Sequence, residues 1–159
     1  MNPHEQVTTS LDQIVALGFR RAGQWASGGG ILQLHVLQPY VEASELLYAF
    51  AVNDVITYSG KTSQGLARRM QGYRTPAAAA ERGGSTNIRN NRLIKEALLE
   101  GAAVEVYVIA PPAGQHHGGF RINLAAGLED SLIRELAPPW NAARLADRAA
   151  STRSAQFAR

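Results

Sequence analysis

The sequence predicts an α+β fold, an antiparallel sheet flanked by helices, preceded by a helix and hairpin extension. Three observations predict it. Strand-like runs meet at short turn signals, first around Ser27-Gly28-Gly29-Gly30 and again around Asn53-Asp54. Three later stretches place apolar residues at helical spacing. A β-branched run, Val104 to Ile109, stands between two of them.

Taken in order, Ser10 is the expected cap of a short helix over Leu11 to Leu17, with Leu11, Ile14 and Val15 on one stripe. Phe19 to Trp25 and Ile31 to Leu37 read as paired strands, with Leu32, Leu34 and Val36 on one face; Pro39 ends the pair. Leu47 to Val52 and Val55 to Tyr58 form a second hairpin, closed by Gly60. A helix is expected from about Ser63, with Leu66, Met70 and Tyr73 on its apolar stripe and Pro76 stopping it. A low-complexity loop follows, Ala77 to Gly84, and then a helix from Thr86 to Glu100 ended by Gly101. After the strand at Val104 to Ile109, Pro111 to Gly119 reads as a loop. Asn123 caps a last helix through Leu136, ended by Pro138-Pro139. The expected division is an extension over 1–44, a central domain over 45–142, and a mobile basic tail over 143–159.

Composition narrows the function classes. There is no cysteine, which removes disulfides and thiolate metal sites. The polar stretch Met1 to Ser10 does not resemble a secretory signal, and no run approaches the roughly 20 apolar residues of a bilayer span. The expectation is a cytoplasmic protein with no membrane partner. The net charge of +3 rests on arginine, since Lys61 and Lys95 are the only lysines. Arginine suits phosphate contacts, but it is also common in Ala- and Gly-rich chains, so charge permits a nucleic-acid partner without requiring one.

The polar residues are more specific. Leu46-Leu47-Tyr48 and Tyr58-Ser59-Gly60-Lys61-Thr62 flank the second hairpin. Leu66-Ala67-Arg68-Arg69-Met70-Gln71-Gly72-Tyr73 follows, and Gly127-Leu128-Glu129 runs on to Pro139-Trp140-Asn141. In this order and spacing the segments resemble the motifs of the GIY-YIG nucleases: the two name-giving triplets, the L-x-x-R-x-x-x-[HY] helix and the closing E-x(11)-N helix. The resemblance covers about Leu46 to Asn141. The triplets depart from the pattern, with Leu46-Leu47 for Gly-Ile and Ser59 for an apolar residue, so its weight lies on the later motifs.

The resemblance implies a three-stranded antiparallel sheet flanked by helices, and a DNA endonuclease that uses one divalent cation, Mg²⁺ or Mn²⁺. It implies Glu129 as metal ligand, and Tyr48, Tyr58, Arg69, Tyr73 and Lys61 as the reacting set. It also implies that Gly60 and Asn141 hold the site together. Each role also makes chemical sense. A carboxylate is the oxygen ligand that hard cations prefer. A guanidinium fork suits a phosphate whose charge grows in the transition state. A phenol, about 0.1 % ionised at neutral pH, becomes a general base if a nearby cation and guanidinium favour its phenolate. Which tyrosine does so is open. Singly, a strand tyrosine is more often a packing residue and a helix arginine more often solvated; together the set is hard to explain that way.

Arg68 is a rival for the role of Arg69, but only Arg69 fits both Leu66-x-x-Arg and Arg-x-x-x-Tyr73. Arg89, Arg92 and Lys95, recurring every three residues, form a candidate DNA-backbone face, and Arg74 is a further candidate; a solvated helix face explains them about as well. His116-His117 reads as an exposed loop pair without a third ligand. Other readings are a catalytically silent nucleic-acid-binding module and a protein-interaction domain on the same scaffold. The expected partner is DNA, with a homodimer on DNA as one open arrangement.

Register supplies a geometric condition. A strict two-residue turn at Asn53-Asp54 pairs Tyr48 with Ser59 and sends Tyr48 and Tyr58 to opposite faces. A three-residue loop, Asn53-Asp54-Val55, or an equivalent bulge pairs residue 50 with 58 and 48 with 60, which brings both tyrosines to one face. A shared site requires the second arrangement, so an odd-length loop is expected.

Overall fold

The computed structural model describes residues 9–37, 45–77, 85–112 and 114–141. The low-complexity loop expected up to Gly84 and the tail expected from 143 onward lie outside the described residues.

Helix α1 (Ser10–Leu17) is capped by Thr9 rather than Ser10. Thr9 and Asp12 form a capping box in which each side chain bonds the other's backbone N–H. Ser10 is used elsewhere, its hydroxyl accepting from the backbone N–H of Ile56 at 2.8 Å. The first hairpin follows as β1 (Arg20–Gly28) and β2 (Ile31–Val36), turning at Gly29 and Gly30, both with positive φ.

The second hairpin, β3 (Leu46–Val52) and β4 (Val55–Thr62), meets the register condition in an unexpected way. The turn does have two residues: Val52 pairs with Val55, and Asn53 and Asp54 take φ of 47° and 67°, as a tight hairpin turn of this kind requires. Parity is restored one step later. Ala51 pairs with Ile56 but Phe50 pairs with Tyr58, so Thr57 is the extra residue of a bulge. Ile56 and Tyr58 therefore face opposite sides of the sheet. Tyr48, opposite Gly60, shares a face with Tyr58.

Strand β5 (Val104–Ile109) pairs with β3 on one side and β1 on the other, both antiparallel, giving a five-stranded sheet in the order β2-β1-β5-β3-β4. The expected three strands are present, and the N-terminal hairpin enlarges them to five. Nothing local announces the β1–β5 pairing, whose partners are some 80 residues apart. The sheet is covered on both faces. Trp25, Tyr48, Phe50 and Tyr58 pack on one side with α2 (Leu66–Arg74) and α3 (Thr86–Leu99). Leu47, Ala49, Ala51 and Ile56 pack on the other with α1 and α4 (Leu124–Leu136). Double coverage explains why β3 is a continuous apolar run rather than an alternating one.

Helix α2 begins at Leu66, three residues later than expected, because the Thr62 hydroxyl takes the backbone N–H of Gln64 at 3.1 Å and holds a turn there. The expected loop after β5 contains a small hairpin, β6 (His116–His117) and β7 (Phe120–Arg121). Asn123 caps α4 through Ala126 N–H at 3.0 Å, as expected. Ala137 ends α4 in the left-handed region at φ 44°. Trp140 then packs on Phe50, across the edge of β4, at a ring-centroid distance of 6.3 Å.

Candidate active site

Five elements converge on a cleft of about 240 Å³ lined by Tyr48, Tyr58, Gly60, Lys61, Arg69, Thr86 and Glu129. The strands supply Tyr48 and Tyr58, whose rings lie 6.2 Å apart. Gly60 sits between them. A Cβ there would stand 2.6 Å from the Tyr48 hydroxyl and 3.0 Å from the Tyr58 ring, so a side chain and this pair of rings exclude each other.

Helix α2 presents Arg69 and Tyr73 on one face, four residues apart. The Arg69 guanidinium bonds three partners through three different nitrogens: Nε donates to the Tyr48 hydroxyl at 2.9 Å, one terminal nitrogen to the Tyr73 hydroxyl at 2.6 Å, and the other to Asn87 Oδ1 at 2.8 Å. Three of its five N–H groups are engaged in these bonds, two are left over, and the side chain lines the cleft. The Tyr48 and Tyr73 hydroxyls are themselves 2.6 Å apart, and Tyr73 donates to Tyr58 over a longer 3.4 Å. Since Tyr73 has one proton, donating it to Tyr58 requires that it accept from Tyr48. Arg68, the rival in sequence, is exposed and outside the cleft.

Burial dominates the acid–base chemistry of this cluster. It pushes the Tyr48 phenol well above its ordinary range; the neighbouring Tyr58 adds to the rise, and Arg69 with the Tyr73 hydroxyl opposes it. Tyr73 is raised for the same first reason, with Tyr48 and Tyr58 adding to it. Burial also disfavours the Arg69 charge, but the phenol oxygens of Tyr48 and Tyr73 outweigh it and hold the guanidinium more firmly charged than usual. The expectation that the guanidinium would favour the Tyr48 phenolate thus names a real but smaller effect. In the protein as it stands, Tyr48 is a neutral phenol.

Glu129 reaches the cleft from the other face of the sheet. The stripe Leu128, Leu132 and Leu136 seats α4 on the α1 side, and Glu129, at the stripe's margin, extends past edge strand β4. There it pairs with Lys61 Nζ at 2.9 Å, its side chain only 13 % exposed. Asn141 acts at the same edge. Its side-chain amide accepts from Ser59 N–H at 2.7 Å and donates to Ser59 C=O at 2.9 Å, both buried.

Two residues at the site escaped sequence reasoning. Thr86 and Asn87 open α3, whose cap is Ser85; Asn87 orients Arg69, and Thr86 lines the cleft. A polar residue in a first helical turn reads as capping chemistry, and no spacing ties it to Arg69. The other basic candidates lie elsewhere. Arg92 is bound to Glu96 at 3.0 Å, Arg89 and Lys95 are half-buried along α3, and Arg74 is exposed at the end of α2. His116 and His117 are exposed on β6. Among the described residues no three His, Cys, Asp or Glu side chains gather as a metal cage, and no helix is long and apolar enough to cross a membrane.

No family model matches the chain. Endonuclease II of Enterobacteria phage T4 is 33 % identical over 116 residues, spanning 71 % of this chain and 80 % of that protein. A solved mutant of bacteriophage T4 EndoII shares the fold with a TM-score of 0.64 at 24 % identity, over 82 % of this chain and 98 % of that one. The restriction endonuclease HPY188I, solved with product DNA, shares it with a TM-score of 0.52 at 17 % identity, over 77 % and 75 % of the two chains.

Proposed function

The chain belongs to the family of Endonuclease II of Enterobacteria phage T4, and on that footing we propose that it is a DNA endonuclease of the GIY-YIG type, hydrolysing a phosphodiester with one divalent cation, Mg²⁺ or Mn²⁺. The observation that carries the reading is the convergence of Tyr48, Tyr58, Lys61, Arg69 and Glu129, from two strands and two helices, on one cleft. A scaffold that served packing alone has no reason to aim a carboxylate, an ammonium, a guanidinium and two phenols at the same open volume.

The donor set fits a hard cation. Glu129 is one carboxylate opening on a cleft with room for waters and phosphate oxygens, the arrangement that Mg²⁺ favours over an all-protein cage. When bound, the cation would supply Lewis-acid stabilisation of the phosphate charge. The remaining work falls to the chain. The two free N–H groups of Arg69 face the phosphate oxygens, held in plane by Tyr48, Tyr73 and Asn87. Tyr48 would be the general base once its own proton has passed to solvent, an ionisation that Arg69 and a bound cation would favour against the burial that now keeps it neutral. The phenolate would accept from Arg69 Nε and from the Tyr73 hydroxyl, two groups already within 2.9 Å, and would take a proton from the attacking water. Tyr58, with the single longer bond from Tyr73, orients water or phosphate. Lys61 leaves Glu129 for a phosphate oxygen as substrate enters.

The test is cleavage of supercoiled, linear and branched DNA with Mg²⁺ and with chelator, using the wild type, Glu129→Ala and Arg69→Ala. Cleavage that needs the metal and both side chains is expected. Cleavage surviving both substitutions would remove this site, and DNA binding without any cleavage would leave a silent binding module. One cleft cuts one strand, so sedimentation on and off DNA tests whether two copies assemble.

A further inference from the structure

The small hairpin before α4 plays no part in the reaction just described. His116 pairs with Arg121 and His117 with Phe120 around Gly118-Gly119, and Ile122 N–H adds a bond to the Gln115 carbonyl at 2.8 Å. Opposed residues of a hairpin share a face and alternate residues share it too. Phe120, Ile122 and His117 therefore lie on one side, Arg121 and His116 on the other. Phe120 is 80 % exposed and Ile122 43 %. A hairpin this short is marginal in water and gains nothing from an exposed ring; apolar groups left exposed together mark a contact surface.

Charge and position indicate what covers it. From Ala110 to Asn123 there is no Asp or Glu, while Arg121 and two histidines are present. The hairpin leaves the sheet where Ile109 pairs with Leu47, and Leu47 in turn pairs with Lys61 of the cleft. It runs into α4, and Glu129 lies five residues past Leu124, about 7.5 Å along the helix axis. A duplex with a phosphate in the cleft would pass beside the hairpin within a few base pairs of the cut.

The geometry points to the β6–β7 hairpin as a DNA-contacting element, with Phe120 stacking on bases next to the scissile step and Arg121 on a phosphate. Two-stranded ribbons fit DNA grooves, and apolar wedges enter at base steps. The inference rests on the reading of the cleft as a DNA nuclease site.

The experiment uses the full chain in chelator, so that no cutting intervenes, and a labelled duplex carrying 2-aminopurine at successive positions. The wild type should brighten 2-aminopurine next to the scissile step, and Phe120→Ala should abolish that brightening and weaken binding roughly tenfold. Arg121→Ala should reduce the slope of log K against log salt by about one. Both positions are exposed, and unchanged circular dichroism melts verify the fold. Wild-type affinity and brightening in Phe120→Ala would overturn the inference while leaving the nuclease reading intact. So would a change confined to oligomeric state, which would make the hairpin a contact between copies. A wild-type chain that neither binds nor cuts any DNA would instead remove the nuclease reading, and this inference with it.

Discussion

The side-chain amide of Asn141 binds both backbone groups of Ser59, N–H at 2.7 Å and C=O at 2.9 Å, and so serves β4 as a neighbouring strand would. Strand β4 is the outer strand of the sheet, and edge groups that are buried without partners are costly. Asn141→Ala should lower stability by about 2–6 kcal/mol, the sum of two orphaned groups. Asn141→Asp should recover only part of it, because one carboxylate oxygen would face the Ser59 carbonyl. Urea denaturation of the three proteins measures this, and a loss under about 0.5 kcal/mol would mean that water replaces the amide.

Arg69→Lys should be nearly as inactive as Arg69→Ala, with cleavage down about a hundredfold or more. A single ammonium cannot replace a planar group that bonds Tyr48, Tyr73 and Asn87 from three separate nitrogens. Asn87→Ala, which frees one arm of the fork, should fall between wild type and Arg69→Lys. Single-turnover cleavage rates decide the order.

Lys61 Nζ occupies the Glu129 carboxylate at 2.9 Å, where the proposed cation would sit. Lys61→Met should therefore raise the affinity of the DNA-free protein for Mn²⁺ several-fold while slowing cleavage. Glu129→Gln should lose both. Electron paramagnetic resonance of Mn²⁺ reads binding separately from turnover; unchanged binding in Lys61→Met would show that the ammonium does not compete with the ion.

Alkaline pH should unfold the protein for an identifiable reason. Tyr48 and Tyr73 are raised above the ordinary phenol value of about 10. Above that pH the unfolded chain gives up protons that the folded one retains. The stability these phenols contribute is complete below about pH 10 and is lost as pH rises through their folded values. Melting temperature should be flat to about pH 9 and then fall. Tyr73→Phe should start lower but fall less steeply, and parallel curves would place the alkaline transition elsewhere.

Much of this was legible in the residues, for particular reasons. Tyr48, Tyr58, Arg69 and Glu129 stand in periodic elements, where spacing fixes the face, and strand parity alone requires one extra residue in the hairpin. Whether the turn or the ladder holds it is not written locally, because a bulge at Thr57 leaves no mark when the turn beside it is ordinary. The β1–β5 pairing was invisible because its energy comes from distant partners. Asn87 was missed because its partner is on another helix. The β6–β7 hairpin did carry a signal, Gly118-Gly119, but strands of two residues are too short for alternation to show.

The Thr57 bulge fixes a register. Thr57 is buried, and its hydroxyl donates to the Phe50 carbonyl at 3.2 Å. Were Thr57 drawn into regular pairing opposite Phe50, Tyr58 would fall opposite Ala49 and turn to the α1 side, and the cleft would lose a tyrosine while the sheet kept every strand. Deleting Thr57 would instead leave Phe50 opposite Tyr58 and Tyr48 opposite Gly60, with both tyrosines still on one face. The cleft is lost only when the extra residue becomes a rung of the ladder.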